Sequence, residues 1–206
     1  MNLFDKLYKK IINEQTGKAA VVTYARMNPI TIGHKKLVDK VVSDAEEIGA
    51  TPIIFLSHTQ KPKTDPLSLD QKIYFFKKLF PGVKVGNDMF KGQFTPPAAL
   101  EELSKHGYKD IIFIVGDDRV SSFGFLQKYN GVPDKTGKIA YTFDNLEIRS
   151  AGERDPDAEG VEGMSASKMR AAAAEGDYEL FAQGIPTEDE NLIKELYEAV
   201  RSGMGL

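Results

Sequence analysis

The residues best suited to chemistry form the segment NPITIGH, residues 28–34, which joins an apolar strand to a helix. Its proline fixes φ and removes a donor, and Gly33 lets the main chain approach a ligand closely. His34 is expected in the first helical turn, where free N–H groups and the positive end of the helix dipole favour an anion. This strand, turn and helix therefore predict a phosphate site.

A second polar segment, MSASKMR at residues 164–170, opens another predicted helix. Ser165 is a good N-cap, and the alanines after Arg170 are strong helix formers. Ser167 and Lys168 fall in the first turn, and the planar guanidinium of Arg170 suits two phosphate oxygens at once. Hydroxyls, N–H groups and two cations together fit a polyphosphate. Taken alone, the segment would be read as an ordinary capped helix with solvated cations.

A third polar segment, GDDR at residues 116–119, directly follows the apolar strand 109–115. Open α/β sheets bind ligands at the carboxyl ends of their strands, which favours a ligand contact from Gly116, Asp117 or Asp118. For Arg119, a ligand contact and a solvated side chain are equally compatible with the sequence. The alternative is a helix N-terminus, because Asp is a good cap there. Two adjacent carboxylates without a third ligand do not predict a metal site.

Residues 28–34 resemble the T/H-x-G-H signature of the nucleotidyltransferase superfamily, and residues 164–170 resemble its second signature, I-S-x-T/S-x-x-R. The two segments stand in the order of that superfamily, and each opens a helix. Arg26 further resembles the G-R-F-N/Q-P opening of nicotinamide-mononucleotide adenylyltransferases, although Ala25 replaces the usual glycine and Met27 the usual aromatic residue. The resemblance covers residues 18–176.

The resemblance implies roles for particular residues. His34 would stabilise charge on the α-phosphate, and Lys168 and Arg170 would bind the β- and γ-phosphates, which makes these three the catalytic candidates. The nucleotide-binding candidates are Arg26, Met27, Asn28, Thr31, Gly33, His34, Gly116, Asp117, Asp118, Ser165, Ser167, Lys168 and Arg170. Lys72 stands where an arginine is more usual in the family, and Lys72 and Arg119 are the acceptor-binding candidates.

The reaction that the resemblance implies is transfer of a nucleotidyl group from a nucleoside triphosphate to a phosphate-bearing small molecule, with release of pyrophosphate. ATP is the favoured co-substrate and nicotinamide mononucleotide the favoured acceptor, and Mg²⁺ would bridge the nucleotide phosphates without a dedicated protein site. A cytidylyltransferase that acts on a small phosphorylated alcohol is the alternative within the class. A nucleotide-binding module without turnover is the alternative outside it.

Alternating strands and helices predict an open parallel α/β sheet of the Rossmann-like class with helices on both faces. The two motifs would lie at its carboxyl edge, where Tyr24 and Val115 end the central strands. An amphipathic N-terminal helix is expected within residues 1–17, the nucleotidyltransferase domain at 18–176, and a helical tail at 177–206. The tail would pack on the same domain or form a contact in a homo-oligomer.

Composition restricts the class of partner. The net charge of −3 gives no reason to expect a nucleic-acid surface, and the absence of cysteine excludes disulfides and thiolate metal sites. The first 15 residues carry charges among their apolar side chains and do not form a signal peptide, and no run is long enough to span a bilayer. A cytoplasmic protein is the expectation.

Several local expectations concern the chain between the motifs. A helix is expected to open at Asp65-Pro66, and residues 121–129 should form a helix or lid. Residues 139–143 and 146–148 read as a strand pair or a bent strand. Residues 150–163 must form a loop, either a flap that orders on binding or an inert surface loop.

Overall fold

The computed structural model describes residues 17–152 and 165–206. The predicted N-terminal helix lies outside these residues, and so does most of the predicted flap between residues 150 and 163. Both remain predictions, and so does the division of the chain into three regions.

The described chain is organised around a five-stranded sheet in which every neighbouring pair is parallel. Its spatial order is β3-β2-β1-β4-β5, so the strand that carries the first motif is the central one. This confirms the predicted parallel α/β fold. The strands are β1 Lys18–Ala25, β2 Thr51–Leu56, β3 Lys84–Val85, β4 Tyr108–Val115 and β5 Asn145–Ser150.

Helices cover both faces of the sheet, which explains why β1 and β4 are almost continuously apolar. On β1, Val21 packs into the core on one face and Val22 into the core on the other. The helices are α1 Ile32–Ile48, α2 Leu69–Leu79, α3 Gly86–Met89, α4 Pro96–Lys105, α5 Val120–Phe123, α6 Phe125–Lys128, α7 Ala166–Glu175, α8 Tyr178–Gln183 and α9 Glu190–Met204. None of the helices in the described ranges is long and apolar enough to cross a membrane.

The start of α2 differs from the sequence prediction. The helix opens at Leu69 and not at Asp65-Pro66, because Ser68 supplies the cap. The Ser68 hydroxyl accepts from the Gln71 N–H at 3.3 Å, and the Gln71 side chain accepts from the Ser68 N–H at 2.9 Å. This capping box provides hydrogen-bond acceptors for two N–H groups at the start of the helix. A helix that began at Pro66 would not have this pair of bonds. Asp65 is thereby left in the loop that precedes the helix.

The predicted strand pair after residue 138 is wrong in its first half. Residues 139–143 form no strand, and Ile139 makes only an isolated bridge with Pro133. The alternating apolar residues instead cover the core: Tyr141 is buried and its hydroxyl donates to the Leu126 carbonyl at 2.8 Å. The single strand of this region is β5, which pairs in parallel with β4.

The residues that follow β4 form two short helices, α5 and α6, where a helix or lid was predicted. The tail at residues 177–206, predicted to be helical, forms the two helices α8 and α9. Phe181 of α8 and Leu196 of α9 are fully buried and join the core cluster that includes Val21 of the sheet. The tail therefore packs against the same core as α1.

An ion-pair group ties α1 to the edge strand β5. The buried carboxylate of Asp44 accepts from Lys40 at 2.7 Å and from Arg149 at 2.8 Å. Burial alone would raise the pKa of Asp44, but the hydrogen bonds and charges of Lys40 and Arg149 lower it below its ordinary value. Lys40 lies on α1 itself, so the pair with Arg149 is the one that joins α1 to β5.

Candidate active site

The first motif forms a compact turn between β1 and α1. It contains a cis peptide bond between Asn28 and Pro29, and Met27 adopts a φ of 47°. Met27 is fully buried in the core, and Asn28 is 2% exposed. Both residues were predicted to bind nucleotide. Their side chains instead support the turn from the inside, and their contact with a nucleotide remains a prediction.

Thr31 is the N-cap of α1, so His34 lies in the first turn, as predicted. The Nδ1 atom of His34 is 3.1 Å from the Thr31 main-chain nitrogen and 3.0 Å from the Thr31 hydroxyl. A main-chain N–H can only donate, so Nδ1 is the acceptor of that bond. In the neutral ring the proton is therefore on Nε2, which makes Nε2 a donor.

The start of α1 is also held from the C-terminal tail. The main-chain N–H of Ile32, in the first turn, donates to the carbonyl of Gly184 at 3.0 Å. Gly33 follows and is partly exposed. This connection between the tail and the motif could not be predicted, because a main-chain hydrogen bond does not depend on the residue type.

The second motif is built as predicted at its start. Ser165 caps α7, and its hydroxyl accepts from the Lys168 N–H at 3.2 Å. Ser167 and Lys168 are exposed, whereas Met169 is fully buried in the core. Packing of Met169 thus anchors the helix, while the polar residues of its first turn face solvent.

The two motifs meet through Arg170. One terminal nitrogen of its guanidinium, Nη1, donates to the Asn28 carbonyl at 2.7 Å, and the other, Nη2, donates to the Ser167 hydroxyl at 3.0 Å. Residues 142 positions apart in the chain are therefore in direct contact. Burial lowers the pKa of Arg170; the Asp65 charge opposes that change and Arg26 adds to it. An arginine remains charged under these conditions.

The loop between β2 and α2 is fastened to the first motif by Asn28. The Asn28 amide donates to the Leu67 carbonyl at 3.1 Å and accepts from the Leu67 N–H at 3.0 Å. The amide of a buried Asn that makes both bonds to one residue acts as a clamp. Arg170, the first motif and this loop consequently form one connected unit.

Lys72, predicted as an acceptor contact, is fully buried beneath that loop. Its ammonium donates to the carbonyls of Ser57 and Thr59, each at 2.8 Å, and lies 3.4 Å from the Ser57 hydroxyl. Burial lowers the pKa of Lys72 to about 8, with Asp65 opposing this and Arg26 adding to it. All of the described hydrogen bonds of the ammonium are with the loop between β2 and α2. A contact between Lys72 and the acceptor remains a prediction.

Lys72 makes the stability of the protein depend on pH in a defined direction. Between pH 8 and the ordinary pKa of 10.5, the unfolded chain binds a proton at Lys72 that the folded chain does not. The free energy of unfolding of the wild type, minus that of Lys72→Met, should therefore increase as the pH rises through this window. Urea unfolding of both proteins at several pH values measures that difference. A difference that stays constant or falls would contradict the depressed pKa.

Asp65 is the charged residue of this region that the sequence did not single out. It is 3% exposed, accepts from the Thr64 hydroxyl at 3.0 Å, and its charge acts on both Lys72 and Arg170. Two acidic residues, Asp65 and Asp70, lie between Lys61 and Lys72, and of these Asp65 is the one that closely follows Lys61 and Lys63. That proximity to two lysines was the available signal.

Arg26 and the GDDR segment complete the carboxyl edge of the sheet. Arg26 is exposed just beyond the end of β1, and the GDDR segment follows β4, the neighbour of β1. Asp117, Asp118 and Arg119 form an exposed 3₁₀ turn. Among the described residues, the hydrogen bonds of Arg170 go to Asn28 and Ser167 and not to this turn. Ligand contacts from Gly116, Asp117, Asp118 and Arg119 remain predictions.

The fold is shared with adenylyltransferases of known structure. No family model and no curated protein matches the sequence. A Vibrio parahaemolyticus protein described as a nicotinate-nucleotide adenylyltransferase matches with a TM-score of 0.53 and 17% identity, over 87% of this chain and 98% of that one. The Plasmodium falciparum nicotinic acid mononucleotide adenylyltransferase, solved with NaAD, matches with a TM-score of 0.54 and 17% identity, over 88% and 98%. The chain has the Rossmann-like α/β fold of these proteins, which agrees with the resemblance found in its motifs.

Proposed function

We propose that the chain is a nucleotidyltransferase that transfers the adenylyl group of ATP to a phosphate-bearing acceptor such as nicotinamide or nicotinate mononucleotide, with release of pyrophosphate. The observation that carries this proposal is the contact between Arg170 and the Asn28 carbonyl. It brings a guanidinium from one motif to the turn that presents an imidazole from the other. The shared fold with nicotinate-nucleotide adenylyltransferases supports it.

In this reaction an oxygen of the acceptor phosphate attacks the α-phosphorus of ATP. A new P–O bond forms, the bond between the α-phosphorus and its bridge to the β-phosphate breaks, and pyrophosphate leaves with that electron pair. The attacking oxygen is already anionic, so no side chain needs to remove a proton or form a covalent intermediate. Catalysis then depends on positioning and on neutralising the charge that develops on the phosphates.

His34 would supply one of these charge-stabilising contacts. Thr31 orients the ring through Nδ1, and we assign the Nε2 proton to a non-bridging oxygen of the α-phosphate. Because Thr31 is fully buried, we assign it to orienting the imidazole and not only to a phosphate bond of its own. A ring that is already oriented loses little entropy when the transition state forms.

The second motif would bind the leaving group. Arg170 has five N–H donors, and its described bonds to Asn28 and Ser167 use two of them. The remaining donors suit oxygens of the β- and γ-phosphates, together with the exposed ammonium of Lys168 and the hydroxyls of Ser165 and Ser167. In this assignment, Lys168 and Arg170 both contact the β- and γ-phosphates, which become the leaving pyrophosphate.

Mg²⁺ would be held chiefly by the phosphates and water. Among residues 17–152 and 165–206, no group of three His, Asp or Glu side chains is arranged to hold a metal ion. We propose that the ion arrives bound to the nucleotide, since Mg²⁺ keeps several waters and binds through substrate phosphates. When bound, the ion neutralises phosphate charge.

One screen tests the proposal. The protein is incubated with Mg²⁺, each of the four common nucleoside triphosphates, and a panel of acceptors that includes both mononucleotides and small phosphorylated alcohols. We expect pyrophosphate and a dinucleotide product, identified by its mass, from ATP and a mononucleotide. Product from CTP and a phosphorylated alcohol would instead favour the cytidylyltransferase. Tight nucleotide binding without pyrophosphate from any pair would favour a binding module and overturn the proposal.

A further inference from the structure

The segment that leaves β2, residues 57–60, lies beside the first motif. The last register pair between the central strands is Ala25 with Leu56, and the Ser57 N–H donates to the Ala25 carbonyl at 2.9 Å. The first residue after β1 is Arg26. Residues 57–60 therefore begin next to Arg26, at the carboxyl edge of the sheet.

The buried ammonium of Lys72 fixes this segment at two points. An ammonium group can only donate hydrogen bonds, and this one donates to the carbonyls of Ser57 and Thr59. These two residues lie on either side of His58. Burial of a lysine ammonium is unfavourable unless hydrogen bonds compensate for the lost water. The two bonds from Lys72 therefore restrain the main chain on both sides of His58.

Further bonds anchor the chain that follows. The Gln60 amide donates to the Pro66 carbonyl at 3.4 Å, and Lys61 and Asp65 exchange two main-chain bonds at 2.8 and 2.9 Å. His58 itself is exposed between these anchors, whereas Ser57 is 1% exposed. His58 follows Ser57, whose main chain adjoins the end of β1. An exposed imidazole on an anchored main chain is well suited to bind a ligand at low entropic cost.

From this arrangement we infer that His58 binds the anionic group of the acceptor, and that Lys72 is the positioning residue that holds His58 in place through the carbonyls of Ser57 and Thr59. The inference rests on the proposed function, since it assigns the acceptor side of the same site. Lys72 thus acts on the acceptor without touching it. A neutral or protonated imidazole can donate a hydrogen bond to a phosphate or carboxylate oxygen, as this role requires.

The first test replaces the exposed residue, which does not threaten the fold. His58→Ala should raise KM for the mononucleotide acceptor by about tenfold, the effect of one lost hydrogen bond to a charged group. The turnover number and KM for ATP should each change less than about twofold, because the triphosphate contacts are untouched. His106→Ala is the matched control: His106 is also exposed, but it caps α4 before the start of β4, at the opposite edge of the sheet.

The second test asks whether Lys72 acts through His58. Lys72→Met removes the ammonium and should raise the acceptor KM in the same direction, with faster amide hydrogen exchange in residues 57–60. When combined with His58→Ala, it should add little further, because both variants remove one contact. Two effects on KM that multiply in the double variant would mean independent roles and would overturn the positioning claim.

The outcomes separate this inference from the proposed function. Absence of pyrophosphate from the wild type with every acceptor would contradict both. Normal turnover by the wild type with an acceptor KM that His58→Ala does not change would contradict only the inference. Unchanged exchange in residues 57–60 of a folded Lys72→Met would likewise remove Lys72 from the role.

Discussion

Replacement of His34 by alanine is expected to lower kcat for pyrophosphate release by about 100- to 1,000-fold, the usual cost of losing one preorganised donor to a developing oxyanion. The expectation rests on the tautomer: the Thr31 N–H donates to Nδ1 at 3.1 Å, so in the neutral ring the proton is on Nε2, the atom that we assign to the α-phosphate. KM for ATP should change much less than kcat, since the contact strengthens in the transition state. Steady-state kinetics with a coupled pyrophosphate assay measure both constants.

The same substitution has a small structural effect that must be separated from catalysis. Without the ring, the Thr31 N–H loses its acceptor at the helix start, which should cost about 0.5–2 kcal/mol of folding free energy. Urea unfolding measures this loss, and His106→Ala serves as the histidine control at the other edge of the sheet. Near-wild-type kcat in a folded His34→Ala would remove His34 from the reaction.

Arg170→Lys is expected to reduce kcat/KM for ATP by about 100-fold or more even though the positive charge is kept. The guanidinium holds the Asn28 carbonyl and the Ser167 hydroxyl while it presents further donors. A lysine ammonium is a compact charge with three donors and cannot reproduce this planar set. The loss should therefore appear in both the nucleotide affinity and the rate.

Arg201→Lys provides a matched control. Arg201 also donates from a helix to a main-chain carbonyl, that of Ala173 at 2.5 Å, and lies over the Tyr197 ring. Its contacts are with α7 and with the ring of a tail residue, so the change should leave pyrophosphate kinetics nearly unaltered. Equal losses of activity in the two variants would show that Arg170 matters only for packing.

The fold was largely predictable because its signals are local. The apolar run of β1 and the helical spacing in α1 fix a buried strand followed by a helix, and repetition of that pattern implies a parallel sheet. One error, at the start of α2, came from the local capping box of Ser68 and Gln71. The other arose where tertiary packing decided the outcome. Residues 139–143 carry the alternation of a strand, yet Tyr141 and Phe143 use it to cover a core and not to pair with a neighbour.

The site was predictable in its residue types but not in its connections. Motif order placed His34 and Arg170 at the same edge, but the bond from Arg170 to the Asn28 carbonyl involves a main-chain atom and leaves no trace in the sequence. The burial of Lys72 was equally hidden, because a lysine after a polar loop is usually solvated. The effect of the Asp65 charge on both Lys72 and Arg170 was hidden as well, because it depends on how the chain folds.

The most direct test of the central claim is a structure of the protein with Mg²⁺ and α,β-methylene-ATP, an analogue that cannot release pyrophosphate. We expect an α-phosphate oxygen within about 3 Å of His34 Nε2, and β- or γ-phosphate oxygens at the same range from Arg170. The analogue bound so that its triphosphate contacts neither residue would contradict the proposal that the two motifs enclose one nucleotide.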